Sequence, residues 1–92
     1  MNEEKVSPER IESLVDSLEF KFQRVEQTTV TACWAFLPNG FQVGYGDSAC
    51  VDPDSYNQAD GEQYAKENCL VDATNKLWEL EGYRLAIELN PV

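Results

Sequence analysis

The residues best suited to chemistry lie in one stretch, GYGDSAC, Gly44–Cys50. Its Gly-x-Gly start is similar to a dinucleotide-binding glycine motif, but that motif needs a third glycine and a helix immediately after a strand, and neither follows. Ser48 and Cys50 are the candidate nucleophiles. The chain contains no histidine to take their protons, and no cationic residue stands next to Cys50. We therefore expect a structural stretch, no catalytic residues and a protein that is not an enzyme.

Metal and cofactor chemistry is also disfavoured by the sequence. The acidic residues that are spaced like a calcium loop are Asp52, Asp54, Asp60 and Glu62. The EF-hand loop requires Gly at its sixth position and Glu at its twelfth, where this chain has Asn57 and Gln63. The three cysteines, Cys33, Cys50 and Cys69, are too far apart for a metal clamp. We expect reduced thiols, no metal and no cofactor.

The charge balance is strongly acidic, with 7 basic against 17 acidic residues and a net charge of −10. Such a surface repels nucleic-acid backbones and anionic membranes, so we expect neither as a partner. It suits basic protein surfaces, or it serves solubility alone. No apolar run reaches a membrane span and MNEEKVSPER has no signal-peptide core, so we expect a cytoplasmic protein.

The elements that hold the Gly44–Cys50 stretch begin with an N-terminal helix. Ser7 is a suitable N-cap, Pro8 fits the first helical position, and Glu9 complements the helix dipole. One apolar stripe follows at helical spacing, formed by Ile11, Leu14, Val15 and Leu18. The pattern predicts a helix over Ser7–Leu18.

Two strands are predicted after this helix. Phe20 and Phe22 alternate with polar neighbours, which indicates a short half-buried strand. The clearest strand is Thr28–Leu37, because it is rich in β-branched and aromatic residues. Its residues on one face are Val30, Ala32, Trp34 and Phe36.

A hairpin leads from this strand to a third. Asn39-Gly40 predicts a two-residue type I′ turn, since Asn and Gly tolerate positive φ best. Such a turn pairs Pro38 with Phe41, Phe36 with Val43 and Trp34 with Tyr45, all on one face. Glycines Gly44 and Gly46 of the third strand indicate a β-bulge or the close approach of another backbone.

A long helix is predicted over Asp60–Leu80, after a short turn capped at Asp52-Pro53. Its broad apolar face consists of Ala65, Cys69, Leu70, Ala73, Leu77 and Leu80, and its narrower second stripe of Tyr64, Val71 and Trp78. The second stripe indicates either a helix buried on two sides or a surface for self-association or a partner. We expect Gly82 to stop the helix and residues 83–89 to form an extended edge segment, the alternative being continued helix.

These elements predict one α+β domain over residues 1–92, with residues 1–6 flexible. The order is α-β-β-β-α, with both helices on one face of an antiparallel sheet of three strands, or of four if residues 83–89 are extended. Double-stranded RNA-binding domains share this order, but they contact RNA through lysines where this chain has Asp60-Gly61-Glu62-Gln63.

Several motifs together resemble a family of small tailed-phage proteins, the one named after the podophages N-four and Sf-six. The most specific are Asn39–Phe41, Gly46–Cys50 and Trp78–Tyr83, and the similarity covers about Thr28–Leu85. A further spaced motif consists of Gly61, Ala65 and Asn68. The family pattern has one residue fewer between NGF and G-x-S, which implies an inserted bulge at Gly44 or Tyr45. The resemblance implies a phage accessory protein in the cytoplasm of the infected cell, and it implies no activity.

Our leading hypothesis is an acidic protein that binds a host protein and modulates or inhibits it, such as a nucleic-acid-handling or defence complex, by imitating DNA charge. The predicted partner-binding residues are Tyr45, Asp47, Ser48, Tyr64, Val71 and Trp78. The alternative is an oligomeric module that sequesters a small molecule or nucleotide, with cations from Arg10, Arg24, Lys66 and Arg84. We also expect a homodimer, because of the Tyr64, Val71 and Trp78 stripe and the open edge of so small a sheet.

Overall fold

The computed structural model describes residues 5–91. Its elements are α1 (Pro8–Asp16), β1 (Glu19–Arg24), β2 (Val30–Phe36), β3 (Gln42–Ala49), a 3₁₀ turn (Pro53–Ser55) and α2 (Gln58–Leu89). The strands form one antiparallel sheet in the order β1-β2-β3. The predicted α-β-β-β-α order and α+β class are therefore confirmed. Of the predicted flexible segment 1–6, residues 1–4 lie outside the described residues.

Helix α1 begins as its sequence predicts. The Ser7 hydroxyl oxygen accepts a hydrogen bond from the Arg10 amide, and Pro8 occupies the first turn. Ile11 is buried, and the rest of the predicted stripe packs against the same core. The helix ends at Asp16 instead of Leu18, because the Ser17 and Leu18 amides bond to carbonyls three residues back and tighten the last turn.

The two main layers meet through very small side chains. Cys33 and Ala35 of β2 and the glycines of β3 face a row of small residues on α2 that includes Cys69 and Ala73. A Cβ added to Gly46 would lie 2.7 Å from the Cys69 Cα, and one added to Gly44 would lie 2.7 Å from the Ala73 Cβ. Close approach of another backbone, one of the two interpretations of these glycines, is therefore confirmed.

The hairpin between β2 and β3 differs from the predicted type I′ turn. Gly40 has a φ of +91° while Asn39 does not have a positive φ. The Gly40 amide donates to the Leu37 carbonyl over 2.8 Å, and the Leu37 amide donates to the Phe41 carbonyl over 2.9 Å. This is a three-residue loop, a type I turn followed by a G1 bulge, so the type I′ prediction is wrong.

The longer loop shifts the pairing by one residue, and a bulge shifts it back. Phe36 pairs with Gln42 and not with Val43, and Pro38 lies in the loop instead of pairing. The register changes between Ala35 and Phe36, which leaves Val43 as the extra residue of β3. From there the predicted pairing of Trp34 with Tyr45 is correct. The bulge therefore lies beside Gly44, while Gly46 is in regular pairing.

Helix α2 continues through Gly82 to Leu89, so the predicted stop and the extended edge segment over residues 83–89 are wrong. Arg84 lies 3.1 Å from Glu81 and 2.7 Å from Glu88, at helical spacings of three and four residues. These pairs stabilise a helix, and a single glycine costs a helix only about 1 kcal/mol. The helix ends before Pro91, as expected from the restriction that proline places on the preceding residue.

Side chains of α2 cover the outer edge of β3. The Tyr45 amide donates to the Asp72 carboxylate over 2.9 Å, and the Asn68 side-chain amide donates to the Asp47 carbonyl over 2.8 Å. In an antiparallel edge strand, the backbone N–H and C=O groups of every second residue point away from the neighbouring strand. The Tyr45 N–H and the Asp47 C=O point away from β2 in this way, so without α2 they would be unpaired. The edge of β3 is thus occupied by its own helix.

The sheet has a second face, which lies opposite the helices. Because Cys33 and Ala35 face α2, their neighbours along β2 face the other way. Trp34 and Tyr45 lie on this side with their rings 5.5 Å apart in an edge-to-face arrangement. We call the surface formed by Val30, Ala32, Trp34, Phe36 and Tyr45 the open sheet face.

We predict that Gly46→Ala destabilises the protein by about 2–3 kcal/mol, because the added methyl would overlap the α2 backbone. The measurement is the free energy of unfolding from urea titration. Gly82→Ala is the matched control, since a Cβ there has nothing within 4 Å. It should stabilise α2 by about 0.5–1 kcal/mol. Equal effects of the two substitutions would contradict the close contact.

Candidate functional site

The Gly44–Cys50 stretch consists of most of β3 and the residue that follows it, and its polar groups make local contacts and contacts with α2. The Ser48 hydroxyl donates to the Gly61 carbonyl over 2.7 Å, and the Tyr45 hydroxyl donates to the Asp47 carboxylate over 3.1 Å. The Cys50 amide donates to the Thr29 hydroxyl over 3.1 Å. The adjacent cavity of about 180 Å³ is smaller than usual ligand pockets. The Ser48 hydroxyl and the Cys50 amide are thus engaged in holding the fold.

Asp52, the first acidic residue after this stretch, is also engaged locally. The Asp52 carboxylate accepts hydrogen bonds from the Asp54 amide at 3.0 Å and from the Ser55 hydroxyl at 3.1 Å, which caps the 3₁₀ turn. Within residues 5–91, no three His, Cys, Asp or Glu side chains are grouped so that they could hold a metal ion.

Cys33 and Cys69 meet where β2 contacts α2, and both are fully buried free thiols. Burial, together with the contact between the two thiols, raises the pKa of Cys69 to about 12. Burial also raises the pKa of Cys33. Both side chains therefore stay protonated at neutral pH and act as small apolar groups.

The four cations considered for a nucleotide pocket are not brought together. Arg24 stacks over the Tyr56 ring at 4.2 Å, and Lys66 lies 4.8 Å from the centre of the Phe20 ring. Only Arg10 and Arg84 converge, and both contact the same carboxylate.

That carboxylate belongs to Glu81, which the sequence reasoning missed. Its side chain is 11% exposed and lies 3.1 Å from both Arg10 and Arg84, so it links α1 to α2 beside a cavity of about 270 Å³. Burial acts to raise the Glu81 pKa, but the hydrogen bonds and charges of the two arginines outweigh it and hold the pKa below its ordinary value. Cys69, Ala73, Leu77 and Glu81 follow one another at intervals of four residues. A charged residue in this otherwise apolar series was the sequence signal that could have identified Glu81.

The remaining carboxylates leave the surface acidic. Within residues 5–91, the ion pairs involve the carboxylates of Glu81 and Glu88 only. Of the described Asp and Glu residues, all are exposed except Glu62, which is half-buried, and Glu81, which is buried. A partner with a basic surface would find the exposed ones available.

Apolar side chains are exposed on the side of α2 that faces away from the sheet. Tyr64, Val71 and Trp78 are 59%, 62% and 40% exposed, and their seven-residue spacing returns them to nearly the same side of the helix. We call these three residues the outer stripe. The interpretation of α2 as a helix buried on two sides is therefore wrong.

The six predicted partner-binding residues thus lie in three places. Tyr64, Val71 and Trp78 form the outer stripe. Tyr45 and Asp47 are exposed on the opposite side of the molecule, at the open sheet face. Ser48 is half-buried, and its hydroxyl is directed to α2.

Fold and surface together define a small, acidic, two-layer α+β protein with apolar residues exposed on two opposite sides. The chain belongs to the phage protein (N4 Gp49/phage Sf6 gene 66) family, whose model matches residues 6–89. The family resemblance drawn from the motifs is confirmed. No curated protein and no solved structure gives a significant match to the chain. In the described part of the chain, none of the helices is long and apolar enough to cross a membrane.

We predict that Glu81→Gln lowers the free energy of unfolding at pH 7 by about 1–2 kcal/mol, because it removes the charge that both arginines contact. The folded-state pKa of Glu81 is depressed, so its contribution is present above the ordinary value of 4.5 and is lost as the pH falls through the folded pKa. The difference between wild type and variant should therefore shrink from pH 7 to pH 3. Glu88→Gln, in an exposed pair, is the control and should change little. A difference that is constant with pH would contradict this role.

Proposed function

We propose that this phage protein binds a host protein through the outer stripe of α2 and modulates or inhibits it, without catalysing a reaction. The observation that carries the proposal is the exposure of Tyr64, Val71 and Trp78 on a long, regular helix. Large apolar side chains in a row on a soluble helix are typical of a surface that docks in a groove.

The shape of the stripe supports a groove as the partner's binding site. From Tyr64 to Trp78 the helix rises about 21 Å, which is about four turns. A rigid helix loses little conformational entropy on binding. Tyr and Trp are also the residue types that contribute most to binding energy at interfaces.

The charges beside the stripe indicate a basic partner. Asp60 precedes Tyr64 by one turn, and Glu67 lies one turn from both Tyr64 and Val71. None of these carboxylates is in an ion pair within the described residues. Negative charge beside the first half of the stripe would suit the basic groove of a nucleic-acid-handling protein, since such grooves accommodate phosphates. We infer that the host target is of this kind.

The nucleotide-sequestering alternative receives less support from the geometry. Two of its four cations stack on aromatic rings, and the other two contact Glu81. A melting temperature that rises with added cyclic dinucleotide would favour it over host-protein binding.

The test is affinity capture from host lysate, followed by calorimetry with the purified partner. We expect Tyr64→Ala, Val71→Ala and Trp78→Ala to weaken binding at least about tenfold each, and 500 mM salt to weaken the wild type. Tyr83→Ala is the matched control, because Tyr83 is 65% exposed but lies about 140° around the helix from Trp78. Unchanged affinity of the three stripe variants, or no partner at low salt, would refute the proposal.

A further inference from the structure

We propose that the open sheet face binds a second copy of this chain, so that two sheets pack face to face and the two α2 helices lie outside. The resulting dimer would have four layers, helix, sheet, sheet and helix. This interface differs from the outer stripe and does not depend on the proposed host target.

The first argument is the distribution of side-chain volume. Where β2 and β3 contact α2, the sheet residues are mainly glycine, alanine and cysteine, while the open sheet face carries the large rings of Trp34, Phe36 and Tyr45. These rings lie on the side of the sheet that faces away from the helices; Trp34 and Phe36 are half-buried and Tyr45 is 42% exposed. Packed sheets lie about 10 Å apart, and a layer of that thickness is filled by side chains of this size.

The second argument is charge. Strand alternation places only three charged side chains on this side of the sheet, Glu19, Lys21 and Asp47. The other acidic residues of the described chain lie on the helices and in the loops. Because two copies with a net charge of −10 repel each other, self-association is most favourable where the fewest negative charges meet.

The third argument is that the face is complementary to itself. Lys21 pairs with Trp34, and Trp34 pairs with Tyr45, so these residues form one row across the sheet. A two-fold axis parallel to β2 lays β1 of one copy over β3 of the other. Lys21 then lies over the second copy's Tyr45 and beside its Asp47, and symmetry makes both contacts twice.

The contacts of α2 also favour the open sheet face over the edge of β3 as the place of self-association. On the outer edge of β3, the Tyr45 amide and the Asp47 carbonyl already bond to Asp72 and Asn68 of α2, which disfavours pairing of another strand there. The open sheet face measures about 14 by 23 Å from strand spacing and rise. An interface of this size is small, so we expect a reversible dimer with a dissociation constant in the micromolar range.

The experiment is sedimentation velocity from 5 to 500 µM. We expect wild type to change from monomer to dimer over this range. Lys21→Asp places like charges against Asp47 and should raise the dissociation constant at least about tenfold. The double variant Lys21→Asp, Asp47→Lys reverses both charges and should restore the dimer. Restoration would show that Lys21→Asp removes an intersubunit contact and does not unfold the protein.

Two controls make the result specific. Lys76→Asp makes the same charge change on exposed α2 and should leave the dimer intact. Trp78→Ala, which should weaken host-protein binding, should also leave it intact. A monomer at 500 µM, failure of the double charge reversal to restore association, or loss of the dimer in Trp78→Ala would overturn the proposal.

Discussion

The close contact between β3 and α2 is the constraint on which the rest of the structure depends. Gly46 lies against the backbone at Cys69, and Gly44 lies against Ala73. At these two positions the strand and the helix leave no room for a side chain. The contact there is therefore built from glycine, alanine and cysteine, while Ile11, Val43 and Leu77 supply the larger side chains of the core.

A contact made of small residues buries little apolar surface per residue, and polar contacts supplement it. They lie along the same line of contact, where Ser48 bonds to Gly61, Tyr45 to Asp72 and Asn68 to Asp47. Helix α1 is held in addition by the ion pair of Arg10 with Glu81. The Gly44–Cys50 stretch, which contains candidate nucleophiles in the sequence, is thus the part of β3 that is held against α2 by hydrogen bonds.

The element order, α1 and the pairing of Trp34 with Tyr45 could be predicted from the sequence, because each has a local cause in capping or alternation. The pairing was correct although the turn was not, since the extra loop residue and the bulge at Val43 cancel. Residues 83–89 alternate like a strand, but the partners of Arg84, Glu81 three residues before it and Glu88 four residues after it, favour a helix. Tyr45, Tyr64 and Trp78 were predicted as candidate contact residues. That Tyr45 lies on the opposite side of the molecule from Tyr64 and Trp78 could not be predicted, because this separation depends on which face of the sheet α2 covers.

That choice of face has a functional consequence. Because α2 covers the glycine-containing side, the outer stripe and the open sheet face lie on opposite sides of a thin two-layer molecule. The open sheet face carries few charges and the helix beside the outer stripe is acidic, so they suit partners of different chemistry. Occupation of one does not obstruct the other. A protein joined through its sheets would present two outer stripes on opposite sides, and a target with repeated basic sites would be bound more tightly by the pair than by either alone.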